Sequence, residues 1–128
     1  MGNEITDVIL RCCFEVANEL GVGFLESVYK KALVIALIDA GLKVAEEEPL
    51  DVRFRGNKVG MFIADLVVPE SVIVEVKSCK ALLPEHQAQL INYLKTSGLT
   101  DGLLVNFGTK KIEIKRLFHP EKFVEKVL

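Results

Sequence analysis

Cysteine and histidine are scarce in this chain, and their placement speaks against a zinc centre. There are three cysteines and two histidines, with no C-x-x-C pair and no Cys/His cluster at ligand spacing. Cys12 and Cys13 are adjacent, and an odd count fits no closed disulfide framework, so the expected setting is reducing and cytoplasmic. Long apolar runs are also missing. No stretch approaches the roughly 20 residues of a membrane-spanning helix, and the first residues lack the charged-then-apolar pattern of a signal peptide. No membrane partner is expected. Met1-Gly2…Thr6 matches the myristoylation pattern only formally. Charge of one sign is missing too: 16 basic residues face 18 acidic ones, for a net charge of −2. No global positive field advertises a nucleic-acid partner, so such a partner must be met by local basic clusters or a bound cation. Aromatic residues are few and do not alternate with basic ones, which removes a stacking platform for single strands. There is no internal repeat, low-complexity tract or linker.

What is present suits one globular domain over residues 1–128, half of it hydrophobic. Ile5, Val8, Ile9, Cys12, Val16 and Leu20 recur at helical spacing, with Asn3 as a cap and Gly21 as a stop. A second helix is expected from Leu25 to Ala40, ended by Gly41. The pattern then changes to period two. Leu42–Ala45 is short and extended, Leu50–Arg55 alternates apolar and polar residues, and Gly56-Asn57-Lys58 makes a turn. Val59–Val68 returns, Pro69-Glu70-Ser71 turns again, and Val72–Ser78 is a β-branched strand. Pro84 opens a third helix that runs to Ser97 before Gly98. Strands follow at Leu103–Phe107 and Ile112–Leu117, and Pro120 starts a short last helix. The expected order is α-α-β-β-β-α-β-β-α, an α/β fold with a mixed sheet flanked by helices. Its third strand, third helix and fourth strand form a crossover unit.

Three charges interrupt otherwise apolar strands in the segment Asp65 to Lys77. Glu75 and Lys77 are two apart and share a strand face. If Pro69-Glu70-Ser71 is a three-residue loop, Val68 pairs with Val72 and Asp65 lies opposite Glu75. A cross-strand salt bridge is the plain reading of such a triple. Against it, two carboxylates about 4 Å apart repel by roughly 4 kcal/mol at an intermediate dielectric, and a protein that keeps them supplies a cation or a shared proton. Mg²⁺ favours one or two carboxylates with water and phosphate oxygens, and a neighbouring ammonium can orient a water. That combination suits phosphodiester hydrolysis.

Asp65 followed by Glu75-x-Lys77 resembles the signature of the PD-(D/E)XK nuclease superfamily, whose fold is restriction-endonuclease-like. Gly21-Val22-Gly23-Phe24-Leu25-Glu26-Ser27-Val28-Tyr29 is similar to the motif of its GxxExxY family. Gln89-Leu90-Ile91-Asn92-Tyr93 is similar to the Q-x-x-x-Y motif of its exonuclease-like branch. Ala64 stands where the signature has proline, a position that does no chemistry. The resemblance implies a nuclease acting on nucleic acid, DNA before RNA, with Mg²⁺ or Mn²⁺. It implies metal ligation by Glu26, Asp65, Glu75 and the Val76 carbonyl, and a water positioned by Lys77. Gln89 and Tyr93 would hold the site and the nucleic-acid backbone.

The alternatives stay open at this point. Glu26 also reads as a first-turn acid complementing the helix dipole. Tyr29 is either a hydrogen-bond donor to a ligand carboxylate or a packed tyrosine with a satisfied hydroxyl. His86 shares a helix face with Gln89 and Tyr93, or else caps the helix or meets solvent. Tyr93 itself could pack in the core. Arg53, Arg55 and Lys58, and Lys110, Lys111, Lys115 and Arg116, could follow phosphates but read equally as solvated strand faces. The alternative function is a non-catalytic domain that keeps the fold and binds nucleic acid or protein, although a retired site tends to lose a charge. Without a separate DNA-binding module, a homo-oligomer or a larger assembly is a further expectation.

Overall fold

The computed structural model describes residues 4–120. Helix α1 (Glu4–Leu20) buries Ile9, Cys12, Cys13 and Val16 along one stripe. Gly21 ends it: at φ 68° it enters the left-handed region, and its N–H reaches the Ala17 carbonyl at 2.9 Å. Helix α2 (Glu26–Asp39) buries Tyr29, Leu33, Val34 and Leu37. These two stripes share a core with Leu66, Val68, Val72, Val74 and Val76 of the sheet.

The sheet contains β1 (Ala45–Phe54), β2 (Asn57–Val68), β3 (Val72–Lys77), β4 (Asp101–Asn106) and β5 (Glu113–Phe118), in that spatial order. All neighbours are antiparallel except β3 and β4. Parallel neighbours need a crossover, and helix α3 (Pro84–Ser97) supplies it. Its Leu90, Tyr93 and Leu94 pack on Ala64, Val67, Ile73 and Leu104, the other face of the sheet. β3 and β4 are buried throughout except for half-buried Lys77, as expected for the middle of a sheet covered on both sides.

The described elements follow the expected order. The helix expected from Pro120 and the cap at Asn3 lie outside the described residues. Most boundaries shift by one or two residues, and two differences have a clear physical cause. The first strand begins at Ala45, five residues before the alternating stretch at Leu50, because pairing of Ala45 with Val67 and Glu46 with Leu66 extends it. The turn after it is Arg55-Gly56, with φ 50° and 80°, so the expected turn at Gly56-Asn57-Lys58 is corrected by one residue. Two successive positive φ angles mark the tight hairpin whose twist matches its strands, and Phe54 pairs directly with Asn57. Among the described residues no helix is long and apolar enough to cross a membrane.

Candidate active site where the second and third strands part

β2 and β3 pair as Val68 with Val72, Val67 with Ile73 and Leu66 with Val74. The next step of this register would oppose Asp65 and Glu75, but the backbone ladder stops there. Side chains take over the bonding. The Asp65 N–H donates to Glu75 Oε2 at 2.7 Å, and the Val76 N–H donates to Asp65 Oδ2 at 2.9 Å. The expectation of a directly opposed acid pair is thus refined: each carboxylate is anchored on the other strand's backbone. These exchanged bonds hold the two acid side chains close together.

Each acid spends one oxygen in this exchange, leaving Asp65 Oδ1 and Glu75 Oε1 outside it. Glu75 is only 2 % exposed. Burial first, and then the charge of Asp65, push its carboxyl up to about 8, against the opposing pull of the Asp65 N–H, Lys77 and Lys30. The N–H and C=O of one residue in an extended strand leave by the same edge. The Val76 carbonyl therefore faces β2 with its N–H, while the Lys77 carbonyl faces β4 and accepts the Phe107 N–H at 2.9 Å.

Lys77 Nζ donates to Gln89 Oε1 at 3.2 Å, so β3 and α3 meet at the ammonium. Tyr93, one helical turn further, is 4 % exposed, with its ring 5.1 Å from that of Phe62. Burial, then Glu75 and then Asp65, push its hydroxyl up to about 12. Tyr93 is therefore both a core residue and a neighbour of the acids. His86 does not join them in a hydrogen bond. Its Nδ1 accepts the Leu83 N–H at 3.0 Å and caps α3, the capping role among its sequence alternatives.

Glu26 opens α2 and is exposed. Among the described residues no three Asp, Glu, His or Cys side chains gather as a metal-binding group, so Glu26 is not drawn up to Asp65 and Glu75. Lys30, one turn later, is. Its Nζ lies 3.6 Å from Asp65 Oδ1 and 3.3 Å from Glu47 Oε1. Sequence reasoning missed both Lys30 and Glu47. The one available signal was that Lys30 follows Glu26 by four residues, a spacing that shares a helix face.

Tyr29 takes the packed role. Its hydroxyl donates to the Gly21 carbonyl and accepts the Phe24 N–H, and its ring stacks on Phe107 at 4.8 Å. It pins the loop before α2, and Ser78 Oγ, just past β3, donates to the Phe24 carbonyl at 3.0 Å. Buried Asn106 fixes the same end of β3 from the other side. Its Oδ1 accepts the Cys79 and Gly108 N–H groups, and its Nδ2 donates to the Cys79 carbonyl and to Glu113. Gly108 is required here, since a Cβ would lie 2.4 Å from Cys79 backbone atoms.

The first basic cluster is engaged at every member, and in the second Arg116 is paired. Arg53 and Lys58 pair with Asp51, each at 3.4 Å, Arg55 stacks over Phe54, and Arg116 pairs with Asp101 at 3.3 Å.

The chain matches the model of a family described as the PD-(D/E)XK nuclease superfamily over residues 3–117. Its fold is similar to that of the crystal structure of SSO0001, at 16 % identity and a TM-score of 0.51, over 94 % of this chain and 80 % of that one. No curated protein sequence matches it.

Proposed function

Because the chain belongs to the PD-(D/E)XK nuclease superfamily, we propose that it is a metal-dependent nuclease that hydrolyses phosphodiester bonds, in DNA before RNA. The observation that carries this reading is the reciprocal anchoring of Asp65 and Glu75, with Lys77 two residues beyond Glu75. It keeps two acids together at a break in the sheet and leaves one oxygen of each outside the exchange.

The donor set fits Mg²⁺ or Mn²⁺. It is all oxygen: Asp65 Oδ1, Glu75 Oε1 and the Val76 carbonyl, with room in the coordination shell for water and phosphate. No thiolate or imidazole belongs to it. Exposed Glu26 stands at the start of α2, where it would act through water. Bound there, the ion would polarise the phosphate and lower the pKa of a coordinated water.

The chain's own residues do the rest. Lys77, held by Gln89, orients the attacking water and steadies the negative charge on the phosphoryl oxygens. Gln89 fixes the ammonium, and buried Tyr93 flanks the acids on the α3 side. The free thiols of Cys12, Cys13 and Cys79 suit a reducing, cytoplasmic setting.

The test is cleavage of labelled DNA and RNA in Mn²⁺ by wild type and Asp65→Ala. Wild type is expected to cut and the variant to be inert. Cutting by Asp65→Ala at the wild-type rate would remove the nuclease assignment of this site.

A further inference from the structure

Lys30 sits between two carboxylates. Its ammonium lies against Oδ1 of Asp65, at 3.6 Å, and against Oε1 of Glu47, at 3.3 Å. Oδ1 is the oxygen that Asp65 has left after Oδ2 accepts the Val76 N–H. A divalent ion held as proposed above would therefore compete with Lys30 for the same atom.

The second carboxylate is set there by an irregularity in β1. Glu46 pairs with Leu66 and Glu48 with Ala64, so Glu47 occupies the register position facing Asp65. Its φ is 48°, a left-handed conformation that residues with a side chain rarely adopt. The strand changes sidedness at this point: Ala45 and Leu50, an odd number of residues apart, both pack on the α3 side. The strained residue makes its ion pair with Lys30. The side chain of Glu47 is 68 % exposed against 22 % for Asp65, so the lysine is shared between a wet carboxylate and a drier one.

We propose that Lys30 is the resident counter-ion of the metal-free site and that Glu47 is its alternative partner. On loading with a divalent cation, Lys30 gives up Asp65 Oδ1 and stays on Glu47. The inference rests on the two-carboxylate metal reading given above. Without an ion, Asp65 Oδ1 lies beside buried Glu75 with no metal to answer its charge, and the Lys30 ammonium supplies part of what is missing. With an ion on Asp65, the ammonium is repelled by a like charge at short range. A flexible four-carbon stem lets it withdraw, and Glu47 already holds it from the solvent side. Lys30 and Glu47 are positioning residues that set metal affinity without contacting substrate.

Calorimetric titration of Mn²⁺ into the whole chain tests this, using Lys30→Met, Glu47→Gln, the double variant and Asp65→Ala. Lys30→Met should bind Mn²⁺ roughly two- to tenfold more tightly, the scale of one partly exposed ion pair. Glu47→Gln should bind it more weakly by a similar factor, because Lys30 then has only Asp65. In the Lys30→Met background, Glu47→Gln should change nothing. This coupling separates partner exchange from additive long-range charge. The Glu47→Gln loss should persist in a Lys77→Met background, where Lys30 is intact.

An equal Glu47→Gln loss with and without Lys30 would overturn the proposal and make Glu47 a ligand or a remote charge. Unchanged affinity in Lys30→Met, or in Lys30→Gln should the first variant unfold in a thermal melt, would also overturn it. If Asp65→Ala binds Mn²⁺ as tightly as wild type, the metal reading itself falls, and the proposal with it. If only the Lys30–Glu47 coupling is absent, the metal reading stands and the proposal alone fails.

Discussion

Glu75 concentrates the electrostatic cost of the site in one side chain. Its folded pKa is raised to about 8 by burial and by Asp65, whereas an unfolded glutamate titrates near ~4.3. The folded state therefore favours the protonated acid. The stability tied to this group is fully present below the unfolded value and is lost as pH rises through the folded one. Metal-free protein in chelator should lose several degrees of melting temperature between about pH 5 and pH 8. Glu75→Gln should flatten that part of the profile. The same profile in both proteins would mean that another group governs it. Because a ligand must be deprotonated, Mn²⁺ loading at pH 7 should also release about one proton per ion, which titration in two buffers of different ionisation enthalpy measures. Lys77 makes a different demand. Lys77→Met removes a like charge near the ion, so Mn²⁺ affinity should hold or rise. Cleavage should fall by about 10²–10⁴-fold with the loss of a water-positioning group. Full cleavage by that variant would take Lys77 out of the chemistry.

Elements position these residues through polar pins at their ends. Tyr29 ties the loop before α2 through Gly21 and Phe24 while its ring stacks on Phe107. Tyr29→Phe keeps the ring and loses the hydroxyl, leaving the Gly21 carbonyl and the Phe24 N–H to water, at a cost of about 0.5–1.5 kcal/mol. A melting temperature lower by roughly 2–6 °C and faster amide exchange across residues 21–24 are expected; an unchanged melt would show that the ring alone holds the loop. The elements themselves were legible because the apolar spacing switches cleanly from helical to alternating after Gly41. Asp65, Glu75 and Lys77 were legible because charge inside apolar strands is conspicuous. The early start of β1 was not, since Ala45-Glu46-Glu47-Glu48-Pro49 has no alternation and is extended by its pairing with β2. Nor was the Lys30–Glu47 contact, which joins residues 17 apart through a strained φ angle. The role of Tyr29 was open until the fold brought Gly21 and Phe24 to its hydroxyl.

At the scale of the molecule, the net charge of −2 and the acid pair oppose a polyanionic substrate. Three of the basic side chains already answer acids, Arg53 and Lys58 at Asp51 and Arg116 at Asp101. With a net negative charge, steering by a broad positive surface is weak, and an ion bound in the site would add positive charge where the phosphate must sit. Mn²⁺ should first stabilise the fold itself. At 100 times its dissociation constant it adds ~2.7 kcal/mol, or roughly 10 °C in melting temperature, and Asp65→Ala should forfeit that gain. The same reasoning fixes how nucleic acid binds. Lys77→Met protein, which retains the metal ligands but should not cut, allows binding to be measured alone. Its affinity for a DNA duplex should be weak in chelator and rise about tenfold or more with Mn²⁺. The slope of log K against log salt should be shallow, corresponding to about two or three phosphate contacts. Tight, metal-independent binding with a steep salt dependence would mean that the lysines of the β4–β5 turn, Lys110 and Lys111, carry the substrate and that the ion serves only the chemical step.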